Sequence, residues 1–85
     1  MKYSVDWDDR ALNDLSEIWL DAPDRTAVTL ANAELEAALA VSPLRIGMAR
    51  SSSVHRLAFR PPLAIEYEVI EDDKKVKVQA VYAVD

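Results

Sequence analysis

Hydrophobic residues recur with two different periods along this chain. Near the start, Tyr3, Val5 and Trp7 alternate with polar residues, and this period of two predicts a short strand with one buried face. From there to Ser42 the apolar positions recur every three or four residues, which predicts two helices. After a stretch without a clear period, the period of two returns and predicts three more strands.

Each predicted helix has a start and a stop signal. A carboxylate of Asp8 or Asp9 can accept the free N–H groups of the first turn, and Pro23 ends this helix. Asp24 is the corresponding cap of the second helix, which ends at Ser42-Pro43. The predicted apolar faces are Ala11, Leu12, Leu15, Ile18 and Trp19 in the first helix, and Val28, Ala31, Leu35, Ala38 and Leu39 in the second.

The last three predicted strands fit one antiparallel register. With turns at 60–62 and at 71–74, apolar residues oppose apolar ones and opposite charges oppose each other. The pairs are Phe59 with Leu63, Leu57 with Ile65, His55 with Tyr67, Val69 with Val76, Tyr67 with Val78, Arg56 with Glu66, and Glu68 with Lys77. The helices should cover the apolar face. We expect the other face to be polar and to carry Arg56, Glu66, Glu68, Lys77 and Gln79.

The elements in order predict an α+β fold. It consists of an N-terminal strand, a two-helix hairpin and a three-stranded antiparallel meander, with the helices packed on one face of the sheet. A chain of 85 residues suits one small domain, here 1–85. The start lacks the apolar run of a signal peptide, and no stretch is long and apolar enough to cross a bilayer. We therefore expect a soluble cytoplasmic protein without a membrane partner.

Charge is distributed unevenly along the chain. Residues 1–41 carry three basic residues against nine acids, whereas residues 42–85 carry seven against six. The stretch 45–60 holds four of the ten basic residues, the only histidine, the only glycine and no acid. This asymmetry suits either an anion-binding half on an acidic support or an ordinary acidic surface. The net charge of −5 argues against non-specific nucleic-acid binding.

Each candidate in this stretch has a structural and a functional interpretation. Arg56 is either a phosphate clamp or the cross-strand partner of a glutamate, and Arg60 is either a phosphate ligand or a solvated turn residue. Arg50 lies in a loop segment, where binding residues are common, and Arg45 can bind substrate or cap the preceding helix. His55 titrates near neutral pH and is either an acid–base group or a packed residue. A lone histidine and no cysteine leave no expected metal site, and no cofactor is expected.

Several short motifs follow one another at a recognisable spacing. They are Tyr3-Ser4-Val5, Ala11 with Asp14-Leu15 and Ile18, Pro43-Leu44 with Gly47, Arg56-Leu57, Ala64-Ile65-Glu66-Tyr67-Glu68-Val69, and Val76-Lys77-Val78. Together they resemble the RelE/ParE family of toxins from bacterial type II toxin–antitoxin (plasmid stabilisation) systems. The resemblance covers essentially the whole chain. It implies a small cytoplasmic protein that is neutralised by a cognate antitoxin encoded beside it.

The resemblance implies two kinds of activity. RelE-like members are ribosome-dependent mRNA endonucleases, and ParE-like members inhibit DNA gyrase. The nuclease branch usually has an arginine three residues before the tyrosine of the strand that here contains Tyr67-Glu68-Val69, where this chain has Ala64. It also has Arg, His or Tyr in the tail, where the residues 82–85 offer only Tyr82. The catalytic candidates are Arg56, Arg60, His55 and Tyr82, with Arg45 and Arg50 as candidates for substrate binding.

Three hypotheses follow from the sequence. The first is an enzyme that cleaves mRNA on the ribosome, with arginines on the phosphate and His55 or Tyr82 moving protons. The second is a non-enzymatic inhibitor of a protein such as gyrase. The third is a degenerate toxin fold that is kept as a binding module. In each case the antitoxin should add a helix or strand to the apolar surface of the helices or to a sheet edge.

Overall fold

Five strands and two helices make up the part of the chain that the computed structural model describes, residues 2–50, 52 and 54–84. The elements are β1 (Ser4–Trp7), α1 (Asp9–Asp21), α2 (Arg25–Val41), β2 (Met48–Ala49), β3 (His55–Arg60), β4 (Leu63–Ile70) and β5 (Lys75–Ala83). The sheet order is β1-β5-β4-β3-β2. The predicted α+β architecture is confirmed, with β2 as an additional short strand in the segment expected to be a loop. The tail residue Asp85 lies outside the described residues.

The first strand, β1, forms one edge of the sheet by pairing in parallel with the last strand, β5. Val5 lies opposite Val76 in this pair. Two ion pairs join the strands as well, because Lys75 lies 3.4 Å from Asp6 and Lys77 lies 3.5 Å from Asp8. Among the residues that the structure describes, neither helix has the length and apolar content needed to cross a bilayer.

The two helix starts differ from each other. Asp24 accepts a hydrogen bond from the backbone N–H of Ala27 at 3.1 Å, as predicted for a cap. Asp8 occupies the cap position of α1, but its side chain makes no capping hydrogen bond. The expectation of a carboxylate cap on α1 was therefore wrong, because the Asp8 carboxylate pairs with Lys77 instead.

The hydrophobic core lies between the helix pair and one face of the sheet. Four of the five predicted apolar positions of α2 are buried, namely Val28, Ala31, Leu35 and Leu39. From α1 only Ala11 is fully buried, with Leu15 and Ile18 partly buried against the core. Leu12 and Trp19 are exposed, so the apolar face predicted for α1 was too wide.

The register between β3 and β4 is one residue away from the prediction. The turn consists of Pro61 and Pro62 alone, so Arg60 lies opposite Leu63. A slip of one residue exchanges the two faces of a strand. The opposed pairs are His55 with Glu68, Arg56 with Tyr67, Leu57 with Glu66, Ala58 with Ile65, and Phe59 with Ala64. The predicted pairs of Arg56 with Glu66 and His55 with Tyr67 were therefore wrong.

The register between β4 and β5 is as predicted up to a bulge. Val69 faces Val76, Tyr67 faces Val78 and Glu68 faces Lys77. Gln79 is then an extra residue on β5, since the next pair joins Glu66 to Ala80. Beyond the bulge the alternation is inverted. Val81 is buried and Tyr82 points to the opposite face.

Candidate functional site

The face of the sheet opposite the helices, called the open face here, is arranged in three rows across the strands. One row is Phe59, Ala64 and Tyr82, the next is Met48, Leu57, Glu66 and Ala80, and the third is His55, Glu68 and Lys77. Met48 is 58% exposed and Phe59 is 49% exposed. With Asp6 of β1 opposite Lys77, the open face thus combines apolar side chains with three carboxylates, whereas the predicted face was polar.

Tyr82 and Glu66 form a hydrogen-bonded pair on the open face. The Tyr82 hydroxyl donates to Oε1 of Glu66 at 2.9 Å. This hydrogen bond to a carboxylate raises the pKa of Tyr82, and the positive charges of Arg10 and Arg50 oppose that shift. A tyrosine held in this way is a weaker acid than a free one. Tyr82 is nevertheless 40% exposed on the open face.

His55 and Glu68 form the second polar pair. Nε2 of His55 lies 3.8 Å from Oε2 of Glu68, and Nδ1 lies 3.0 Å from Oγ of Ser52. The amide of Gln79 also donates to Glu68, at 3.4 Å. His55 is half-exposed on the open face, so its predicted place on the core face was wrong.

Arg56 points to the helix side of the sheet and holds the segment before β2. Its Nε donates to the carbonyl oxygen of Ile46 and its Nη2 to that of Gly47, each at 3.3 Å. The hydroxyl of Tyr67 donates to the carbonyls of Pro43 at 2.8 Å and Ile46 at 3.0 Å. Burial raises the pKa of Tyr67, and the nearby guanidinium of Arg56 opposes the shift. In this arrangement Arg56 stabilises the loop through hydrogen bonds to its backbone carbonyls.

The remaining arginine candidates occupy three exposed positions. Arg45 follows α2, Arg50 follows β2, and Arg60 ends β3. The backbone N–H of Arg50 donates to the carbonyl of His55 at 2.8 Å, which places Arg50 beside the start of β3. Within the described part of the chain, none of these three guanidinium groups forms an ion pair with a carboxylate.

Gly47, which the sequence places in the motif before the predicted loop, is a structural requirement of the site. Its φ is +69°, and a Cβ at this position would lie 2.5 Å from the carbonyl oxygen of Leu57. The loop therefore approaches β3 more closely than any side chain would permit. The sequence signal was available, because this is the only glycine in the chain.

Comparison with known proteins identifies the fold. No protein-family model matches the sequence, and no curated protein matches it. A chain of the RelBE2 toxin–antitoxin complex from Mycobacterium tuberculosis superposes with a TM-score of 0.76 at 20% identity, covering 98% of this chain and 99% of that one. A chain of the chromosomal ParDE system of P. aeruginosa has a TM-score of 0.71 at 16% identity, covering 98% and 97%. The isolated E. coli RelE toxin has a TM-score of 0.69 at 20% identity, covering 98% and 85%.

These similarities define the class of fold. The chain has the RelE/ParE-like fold over essentially its whole length, and the resemblance noted in its sequence is confirmed at that level.

Proposed function

We propose that this protein is the toxin component of a type II toxin–antitoxin pair, and that it acts by binding a protein target rather than by cleaving mRNA. The fold supports the first part, because similar chains come from the RelBE2 and ParDE toxin–antitoxin systems. A cognate antitoxin would neutralise it in the cytoplasm, where ribosomes and gyrase are located. The composition of the open face supports the second part.

The observation that carries the proposal is the shortage of cations at the centre of the open face. Cleavage of RNA by its own 2′-hydroxyl needs positive groups to neutralise the scissile phosphate and groups that move protons. In the described part of the chain, the rows through Tyr82 and Glu66 contain no Lys or Arg. Glu66 places a carboxylate there, and a carboxylate repels a phosphate.

The same face is well suited to a protein. Met48, Leu57 and Phe59 are apolar side chains on the two neighbouring strands β2 and β3, in two adjacent rows, and Tyr82 lies in the same row as Phe59. Aromatic residues and methionine are enriched in protein interfaces. A few buried side chains of this kind usually supply most of the binding energy of an interface. DNA gyrase, which ParE-like toxins inhibit, is the first target to test.

Cleavage of mRNA is the second candidate, and one observation favours it. His55 with Glu68 and Tyr82 with Glu66 are two proton-transfer pairs on the same face. Arg50 is near enough for its charge to act on Tyr82. In this alternative Arg50 would bind phosphate, with Arg45 and Arg60 contributing at the margins.

One expression experiment separates these functions. The protein is induced in a bacterial host with and without the product of the adjacent gene, and growth, mRNA 5′ ends and plasmid supercoiling are recorded. We expect growth arrest with intact mRNA, relief by the adjacent gene product, and relief by Phe59→Ser. Leu30→Ser, which removes an exposed leucine from α2, should leave the arrest unchanged.

The alternatives give different results in the same experiment. New mRNA ends that disappear in a His55→Ala variant would establish the nuclease and overturn the binding mechanism. Growth without arrest, together with a stable complex with the adjacent product, would establish a binding module and overturn the toxin role. Arrest with normal supercoiling and intact mRNA would exclude gyrase and leave binding of another protein as the mechanism.

A further inference from the structure

A groove of about 750 Å³ lies at one end of the molecule. It is bounded by the last turns of α1, the first turn of α2, the end of β5 and the turn at Pro61 and Pro62. We call it the end groove. Most of its lining residues belong to the helices and their connection, whereas the target surface proposed above is the open face.

The floor of the end groove is apolar. Val28 and Val81 are buried beneath it, and Ile18, Ala27 and Val84 are partly exposed along it. Ala83 is exposed at the end of β5 and contributes to the floor there. An apolar concave surface of this size binds side chains of a partner in preference to water.

The rim of the end groove is acidic. Among the described residues that line it, four are carboxylates and none is Lys or Arg, the four being Asp14, Glu17, Asp21 and Asp24. Asp14 accepts a hydrogen bond from the backbone N–H of Val81, and Asp24 caps α2. Glu17 and Asp21 are exposed and make no hydrogen bond or ion pair with any described residue. These two carboxylates are therefore available to a partner.

The helix ends strengthen the negative potential at the groove. The last turn of α1 contains no basic residue, and its carbonyl end carries partial negative charge. Two arginines lie near the rim: Arg25 donates to the carbonyls of Trp19 and Leu20 at 3.1 and 2.9 Å, and Arg10 lies 3.9 Å from Asp14. Asp24 offsets the positive end of α2. The four carboxylates of the rim therefore disfavour an anionic ligand such as a phosphate or RNA.

We propose that the end groove binds a cationic amphipathic protein segment. The apolar residues of the segment would pack on the floor over Ile18 and Ala83, and its lysines or arginines would pair with Glu17 and Asp21. Charge complementarity identifies this occupant, since an apolar floor with an all-acidic rim matches an apolar ridge flanked by basic residues. Tyr82 borders both surfaces, but the inference does not rest on the proposed function, because the residues that it invokes are Ile18, Ala83, Glu17 and Asp21.

The test uses a synthetic helix-forming peptide with leucines on one face and lysines on the other, labelled with fluorescein. Its counterpart carries glutamate in place of every lysine. Binding is followed by fluorescence anisotropy at low and moderate salt, and the binding site is mapped from amide chemical shifts. We expect the lysine peptide to bind and to shift the amides of Ala27, Val28, Ala83 and Val84, and we expect the glutamate peptide not to bind.

Three variants locate the binding. Glu17→Lys/Asp21→Lys should weaken the affinity by about tenfold or more, because it removes two ion pairs and adds repulsion. Glu34→Lys/Asp73→Lys is the matched control, since it reverses two exposed carboxylates outside the groove and changes the net charge equally. It should weaken binding by less than about threefold, because distant charges are screened. Ala83→Trp should weaken binding about tenfold without changing any charge, because it fills the floor.

Each contrary result overturns the proposal. Absence of binding by the lysine peptide does so, as does equal weakening by the two double variants, which would show attraction to overall charge. Shifts confined to the open face would place the binding there. Concentration-dependent self-association that Ala83→Trp abolishes would make a second copy of the chain the occupant. Circular dichroism of each variant shows whether the fold is retained, and Ala83→Trp and the double variant provide independent readings if one of them unfolds.

Discussion

Arg56 and Tyr67 lie directly opposite each other in neighbouring strands, and both donate hydrogen bonds to the carbonyl oxygen of Ile46, at 3.3 and 3.0 Å. Tyr67 is fully buried, and its hydroxyl also reaches the carbonyl of Pro43. Two strands thus anchor the segment that leads from α2 into β2. The most prominent arginine of the basic stretch supports this segment from the helix side of the sheet.

Removal of the Tyr67 hydroxyl should destabilise the fold. Tyr67→Phe leaves the buried carbonyl of Pro43 without this donor, and we expect a loss of about 1–2 kcal/mol in the free energy of unfolding. Denaturant unfolding measures the difference. Tyr82→Phe is the matched control, because that hydroxyl is exposed and its loss should change stability by less than about 0.5 kcal/mol. Equal losses in both variants would contradict a special role for the buried hydroxyl.

Alkaline pH should destabilise the protein through the same residue. Burial raises the pKa of Tyr67 above its ordinary value of 10.0, so the folded state favours the neutral hydroxyl. The stabilisation is fully present below about pH 10 and is lost as the pH rises from there through the folded-state pKa. Thermal unfolding as a function of pH should show a steeper alkaline decline in the wild type than in Tyr67→Phe. Parallel declines would assign the effect to other groups.

A side chain at position 47 should be poorly tolerated. Gly47→Ala would place its Cβ 2.5 Å from the carbonyl oxygen of Leu57 and would keep a left-handed φ of +69°. We expect a loss of about 2 kcal/mol or more, because strain of this kind costs about 1–3 kcal/mol. Faster hydrogen exchange at residues 45–50 should accompany it, since the loop must move away from β3. Unchanged stability and exchange would show that the loop can relax without penalty.

Glu71 should titrate at an unusually low pH. Lys74 and the hydroxyl of Tyr3 both donate hydrogen bonds to its carboxylate, and these bonds lower the pKa of Glu71 below its ordinary value of 4.5. The stabilisation from this cluster is present above about pH 4.5 and is lost as the pH falls through the folded-state pKa. Carboxyl carbon NMR gives the pKa directly. Lys74→Ala should move it upwards more than Tyr3→Phe does, and an unchanged value would contradict the hydrogen-bond assignment.

The helix hairpin could be predicted from sequence because its signals are local. Pro23 and Asp24 lie in the short connection between the two helices and mark the end of one and the start of the other. The apolar stripe of α2 falls on the face that is buried. The β4–β5 register was also predictable, since matched apolar and charged pairs on both faces agree on one alignment.

The position of Arg56 could not be predicted in the same way. A three-residue and a two-residue turn at the two prolines differ by one step in register, and each offers an acceptable apolar pairing. The structure uses the two-residue turn, which buries the small Ala58 and leaves Phe59 exposed. Hydrophobicity alone favours burial of Phe59. The loop at Gly47 packs closely against β3, and this tertiary contact, which the sequence pattern does not reveal, explains why Arg56 faces the helix side.

The bulge at Gln79 decides which residues of the C-terminal tail correspond to those of another protein with this fold. One inserted residue inverts the orientation of all strand residues after it. Gain or loss of a single residue before Val81 would therefore place Val81 on the open face and turn Tyr82 towards the core. Two tails aligned by counting from Tyr67 therefore describe the same surface only when both strands carry the bulge. A conserved-looking position in the tail can in this way denote a core residue in one protein and a surface residue in another.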